Sequence, residues 1–159
     1  MIDSAAHRPA TPEGTLAPET LEFYRRSMNL LREAGVPYLV GGAYAFARYT
    51  GIVRHTKDFD VFVHSRDFDA ALDGFARAGY AVDRTFPHWL GKVFKGDDFV
   101  DLIFGSGNGI ARVDDLWFEH AVEDEVLGIP VRLIPAEEMI WSKSFIMERE
   151  RFDGADVAH

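Results

Sequence analysis

Two rhythms alternate along the chain, a three-to-four-residue spacing of apolar positions and a short β-branched or aromatic run. From Pro18, PETLEFYRRSMNLLREAG sets Leu21, Tyr24, Met28 and Leu31 at helical steps, with proline at the start and Gly35 past the end, which predicts an amphipathic helix. PYLVGG reads as a short strand halted by two glycines, and AYAFARYTG, rich in alanine and free of proline, as a helix. After a polar link, FDVFVHS is a strand, and RDFDAALDGFARAGY is a helix with Phe68, Leu72 and Phe75 turned inward and Gly79 as its cap. YAVDRT, LGKVFKG and FVDLIFG read as three more strands, the last two joined as a hairpin through Gly96, Asp97 and Asp98. Ala111 to Ala121 has a weak helical pattern, EHAVEDEV reads as a solvated face, GIPVRLIP as a strand, and PAEEMIWSKSFIMERER as a helix opened by Pro135. This order predicts an α+β fold, a mixed β-sheet covered by helices.

Composition narrows the class. The 159 residues, 47% hydrophobic and 27% charged, suit one compact domain, which at this size buries roughly 70% of its unfolded surface without a disulfide or structural metal. Three of the seven prolines fall in the first 18 residues, so residues 1–17 read as a flexible tail and 18–159 as a single domain. The formal charge of −9 argues against an extended nucleic-acid surface, though not against a small basic groove. The absence of cysteine excludes thiolate chemistry and fits a reducing compartment. No apolar leader segment or run of 18 apolar residues is present, so the expectation is a cytoplasmic protein without a membrane contact.

The carboxylates carry the chemistry. Fifteen aspartates in 159 residues yield about 1.4 Asp-x-Asp pairs by chance, and the chain has two, so context must separate them. Asp67 and Asp69 lie in a helical pattern and diverge, whereas Asp58 and Asp60 open a strand and share a face, with Cα atoms about 7 Å apart. Asp101 sits inside the apolar run FVDLIFG, where a buried charge needs a partner. If that strand lies beside FDVFV, Asp101 joins Asp58 and Asp60 around a hard divalent cation such as Mg²⁺, suited to a nucleoside triphosphate. Gly41 and Gly42, between a strand and a helix, offer bare backbone N–H groups to a phosphate.

LVGGAYAFARYTGIVRHTKDFDVFV resembles the signature of the nucleotidyltransferase superfamily with the DNA-polymerase-beta-like fold. It most resembles the bacterial branch with a Gly-Gly pair followed by Arg-x-Thr-x-Asp-x-Asp, which includes abortive-infection toxin-like proteins and antibiotic nucleotidyltransferases. The resemblance implies that Asp58, Asp60 and Asp101 hold Mg²⁺ or Mn²⁺, that Asp101 also acts as base, and that Gly41 and Gly42 contact the triphosphate. It implies phosphate contacts for Arg54, Thr56 and Lys57, and, through IPAEEMIWSKSFIMERERFDGADVAH, for Lys143. The implied reaction moves a nucleoside monophosphate from an NTP such as ATP to a hydroxyl of an acceptor, which is RNA, a protein or a small molecule.

Plainer readings stand beside these. Asp101 is otherwise a structural acid paired with Arg54 or Lys143, and the glycines are otherwise packing residues. The dispersed histidines show no zinc spacing, so His55, His64 and His88 read as surface or packing residues, and the three tryptophans as core or interface residues. The chain ends soon after its last helix, which motivates an alternative: a catalytically inactive nucleotide-binding or regulatory module acting with a partner protein. A partner protein or a homodimer is the assembly expected for either reading.

Overall fold

The computed structural model describes residues 16–51, 58–106 and 112–139. Its elements are α1 (Pro18–Glu33), β1 (Leu39–Val40), α2 (Gly42–Thr50), β2 (Asp58–Phe62), α3 (Ser65–Arg77), β3 (Ala81–Phe86), β4 (Leu90–Lys95), β5 (Asp98–Ile103), α4 (Asp115–Glu119), β6 (Val122–Val126) and β7 (Ile129–Leu133). A further helix begins at residues 136–139. The strands form one sheet in the order β3-β4-β5-β2-β1-β7-β6. Strand β2 runs parallel to β5 and β1 parallel to β7, while the other neighbours are antiparallel. This is the mixed, helix-covered α+β sheet that the pattern predicts.

Side-chain alternation gives the sheet two unlike faces. Phe59 and Val61 of β2, Val100 and Leu102 of β5, and Val93 of β4 are all fully buried on one side, each such side chain contributing about 1.5–3 kcal/mol. Helices α1 and α3 cover this side with Phe23, Tyr24, Met28 and Leu31, and with Phe68, Leu72 and Phe75. The Tyr24 ring stacks on Phe59 with centroids 4.7 Å apart. A Cβ on Gly91 would stand 2.7 Å from Phe68 Cζ, so α3 lies close on the sheet only because position 91 has no side chain. Thr20, in the first turn of α1, donates to the Asp98 carboxylate at 2.6 Å and ties that helix to the β4–β5 hairpin.

The opposite side carries Asp60 and Phe62 of β2, Asp101 and Ile103 of β5, and Lys92 and Phe94 of β4. Helix α4 packs at one end of it, Trp117 against Phe62 with centroids 5.6 Å apart and Phe118 stacked on His64 at 4.4 Å. His64 is a buried packing residue, its Nε2 2.8 Å from Asp115.

Two local expectations are corrected. EHAVEDEV is not merely a charged face, because Val122–Val126 forms β6 at the sheet edge, where only Val126 is buried. Of the weak helix expected from Ala111 to Ala121, the described residues keep only Asp115–Glu119. The Asp114 carboxylate accepts from the Leu116 and Trp117 amides and fixes that start, while Arg112 bridges to Gly105 as extended chain. No helix among the described residues is long and apolar enough to cross a membrane.

Candidate active site

Strand β5 lies directly beside β2, the condition on which the joining of Asp101 to the Asp-x-Asp pair depends. The two strands are parallel and in register, with Asp60 opposite Asp101 and position 58 opposite Phe99. Neighbouring strands stand about 4.8 Å apart, and paired positions share a face, so Asp60 and Asp101 are brought together on the side away from α1 and α3. Positions 58 and 60 share that face of β2 by alternation. Among the described side chains no group of three or more His, Cys, Asp or Glu converges; the described part of the acid set is the Asp60–Asp101 pair. The Asp58 side chain lies outside the described residues, as do Arg54, Thr56, Lys57 and Lys143.

The glycine pair meets these acids. Gly41 N–H donates to the Asp60 carbonyl at 2.9 Å, extending the β1–β2 ladder past the end of β1. A Cβ at Gly41 would overlap the Phe62 ring, which is a packing reason for glycine there. Gly42 has φ +60, and a Cβ on it would lie 2.6 Å from Asp60 Oδ2. The Gly42 backbone therefore rests against the Asp60 carboxylate, and only glycine combines that backbone with that approach. Gly41, the residue before α2, gives no side-chain cap, so the first turn of the helix presents backbone N–H groups beside the acids.

The structure supplies a partner for Asp101 that sequence reasoning missed. Lys92 Nζ donates to Asp101 Oδ1 at 2.7 Å, from the position directly opposite on β4. Its ammonium lies 4.1 Å from the centroid of Phe99. Both side chains are largely buried, 24% and 15% exposed. The pairing with Arg54 or Lys143 weighed from the sequence falls on residues outside the described ones. Asp67 and Asp69 of α3 diverge as expected, Asp67 toward His64 and Asp69 to Arg84.

Near the same end of the sheet, Ile134 N–H donates to the Val40 carbonyl at 3.0 Å and Tyr49 Oη donates to the Ile134 carbonyl at 2.8 Å, so α2 is held against the chain leaving β7. Glu138 follows at the start of the last helix. Burial raises its pKa, and the neighbouring charges of Glu137 and Asp114 raise it further.

Residues 20–156 match the family of nucleotidyl transferases of unknown function (DUF2204). The chain belongs to that family. No curated protein matches it significantly. Three solved structures illustrate the shared nucleotidyl transferase fold. The antibiotic-resistance factor ANT(2″)-Ia, solved in complex with adenylyl-2″-tobramycin, has a TM-score of 0.62 at 16% identity, over 82% of this chain and 78% of that one. Protein TM1012 of Thermotoga maritima, assigned as a nucleotidyltransferase, has a TM-score of 0.59 at 16% identity, over 90% and 92% of the two chains. The lincosamide antibiotic adenylyltransferase LnuA, solved with lincomycin, has a TM-score of 0.57 at 13% identity, over 79% and 85%.

Nucleotidyl transferases generally use divalent metals, and the described donors suit one. Asp60 and Asp101 offer carboxylate oxygens from adjacent strands, the hard ligands that Mg²⁺ and Mn²⁺ accept. The cradle at Gly42, which a Cβ would fill, leaves backbone rather than side chain against Asp60.

Proposed function

We propose that this nucleotidyl transferase moves a nucleoside monophosphate from an NTP to a hydroxyl of an acceptor, releasing pyrophosphate. The observation that carries the reading is the in-register Asp60–Asp101 pair on parallel strands, with Gly42 resting against the Asp60 carboxylate. Asp58, Asp60 and Asp101 are the residues that would hold Mg²⁺ or Mn²⁺. When bound, the cation supplies charge neutralisation at the triphosphate and lowers the pKa of the attacking hydroxyl.

The chain's own residues do the rest. Gly42 and the first turn of α2 direct backbone N–H groups to the triphosphate, with Gly41, its own N–H held by the Asp60 carbonyl, setting the chain for that approach. Arg54, Thr56, Lys57 and Lys143 are assigned to the phosphates, consistent with the polar lead-in to the acids. Asp101 accepts the proton of the acceptor hydroxyl. The hydroxyl oxygen forms a bond to the α-phosphorus, and the bond from that phosphorus to the bridging oxygen breaks, with the electron pair leaving on pyrophosphate.

The test is incubation of the protein with α-labelled NTPs, Mg²⁺ or Mn²⁺ and cell extract, beside the Asp58→Ala/Asp60→Ala double variant. Label moving onto RNA, protein or small molecules with the wild type alone supports the reading and names the acceptor class. A folded double variant that transfers label as well as the wild type rejects it. Metal-dependent nucleotide binding with no transfer in any extract assigns the protein instead to the regulatory class.

A further inference from the structure

Lys92 is a described residue of the acid-bearing face whose charge opposes the cation assigned to that face and which is in direct contact with one of the acids. The hairpin puts it opposite Asp101, and Asp60 stands on the other side of Asp101 in the same register, so Asp60, Asp101 and Lys92 form a row across three adjacent strands. The row continues to Asp83 on β3, which is also opposite Lys92. The ammonium is directed to Asp101 at 2.7 Å and is seated over Phe99, the residue opposite position 58. With the lysine side chain 24% exposed and the aspartate 15%, this pair is screened less than a surface ion pair.

We infer that Lys92 is a built-in competitor for Asp101, holding that carboxylate in the resting protein and making divalent-cation capture depend on the arrival of the triphosphate. The inference rests on the reading of Asp60 and Asp101 as metal-holding residues. Its physical basis is charge. A divalent cation within about 2.1 Å of a carboxylate oxygen and an ammonium 2.7 Å from Asp101 Oδ1 stand roughly 5 Å apart. Even at the dielectric constant of water their repulsion weakens cation binding by at least about tenfold. A triphosphate carries several negative charges to the same place and offsets that repulsion. Lys92 thus acts through Asp101 as a positioning residue, separate from the groups assigned to the reacting atoms.

The test is Mn²⁺ binding followed by electron paramagnetic resonance of the free ion, with and without a non-hydrolysable ATP analogue. It compares the wild type with Lys92→Met, Lys92→Gln, Lys92→Arg and Asp60→Asn, each checked for folding by circular dichroism. Methionine keeps the stem over Phe99, glutamine keeps a donor for Asp101 without the charge, and arginine keeps the charge. Without nucleotide, Lys92→Met and Lys92→Gln are expected to bind Mn²⁺ at least about tenfold more tightly than the wild type, and Lys92→Arg within about threefold of it. With the analogue present, the gap between wild type and neutral variants is expected to narrow to less than about threefold.

If the neutral variants bind Mn²⁺ no more tightly than the wild type while Asp60→Asn abolishes binding, the Lys92 inference fails and the metal site stands. If the wild type and the neutral variants bind no Mn²⁺ in either condition, the metal site fails and takes the inference with it. If one neutral variant does not fold, the other decides between these results.

Discussion

Gly42→Ala separates a backbone requirement from a site requirement. Two costs meet at this position. At φ +60 an alanine pays about 1–2 kcal/mol for the left-handed conformation. Its Cβ would also lie 2.6 Å from Asp60 Oδ2, against an ordinary carbon contact of roughly 3.5 Å, so the carboxylate must retreat by about 0.9 Å. The end of a side chain moves at little cost in stability, and for that reason the displacement falls on geometry. Gly35 is the matched control, with φ +72 and nothing within 4 Å of its would-be Cβ. Urea unfolding should give the two alanine variants similar losses of about 1–2 kcal/mol. Mn²⁺-dependent triphosphate binding and label transfer should survive Gly35→Ala and fall by about 10²-fold in Gly42→Ala, the scale of a displacement near 1 Å. Equal transfer by the two variants would refute the reasoning, as would a Gly42→Ala protein with unperturbed Mn²⁺ binding.

Two further outcomes test the fold around the site. Thr20→Val removes the 2.6 Å hydrogen bond to Asp98 from a largely buried position and should cost about 1.5–3 kcal/mol in chemical denaturation, as for a bond to a charged acceptor; an unchanged midpoint would show that the α1–hairpin tie is not stabilising. Burial raises the Glu138 pKa, as do Glu137 and Asp114, so its ionised form is disfavoured in the fold. Glu138→Gln should therefore be more stable than the wild type at pH values above the raised pKa. Its advantage should shrink as pH falls through that pKa and vanish below the ordinary glutamate range. Thermal melts from pH 8 to pH 3.5 check this, and a difference that stays constant with pH would contradict it.

Much of the fold was legible because burial is written into spacing. Tyr24, Met28 and Leu31 marked α1, and Phe68, Leu72 and Phe75 marked α3, each at helical steps, and all six are buried. FDVFV and FVDLI showed two strands with acids set among apolar residues, but their adjacency is a fact of topology that no local pattern contains. Strand β6 was hidden because an edge strand needs few buried side chains, and in VEDEV only Val126 is buried while Glu123 and Glu125 are exposed. Lys92 was recoverable. The two-residue turn Gly96–Asp97, with Gly96 at φ +60, pairs Lys95 with Asp98 and so sets Lys92 opposite Asp101. That register arithmetic was available in the sequence, whereas the partners weighed there for Asp101, Arg54 and Lys143, lie outside the described residues. The fit of Gly42 against Asp60 depends on a positive φ and a close approach, which the pair Gly-Gly suggests without specifying.

The most direct measurement of the central claim is the fate of the phosphorus atoms. Wild-type protein and Asp60→Asn are incubated with Mn²⁺, cell extract and ATP labelled at either the α or the γ position, and the other NTPs are tested in the same way. Nucleotidyl transfer predicts that α-label joins an acceptor while γ-label leaves as pyrophosphate, and that Asp60→Asn does neither. Transfer of γ-label to the acceptor, or transfer of α-label that persists in a folded Asp60→Asn protein, would contradict the account.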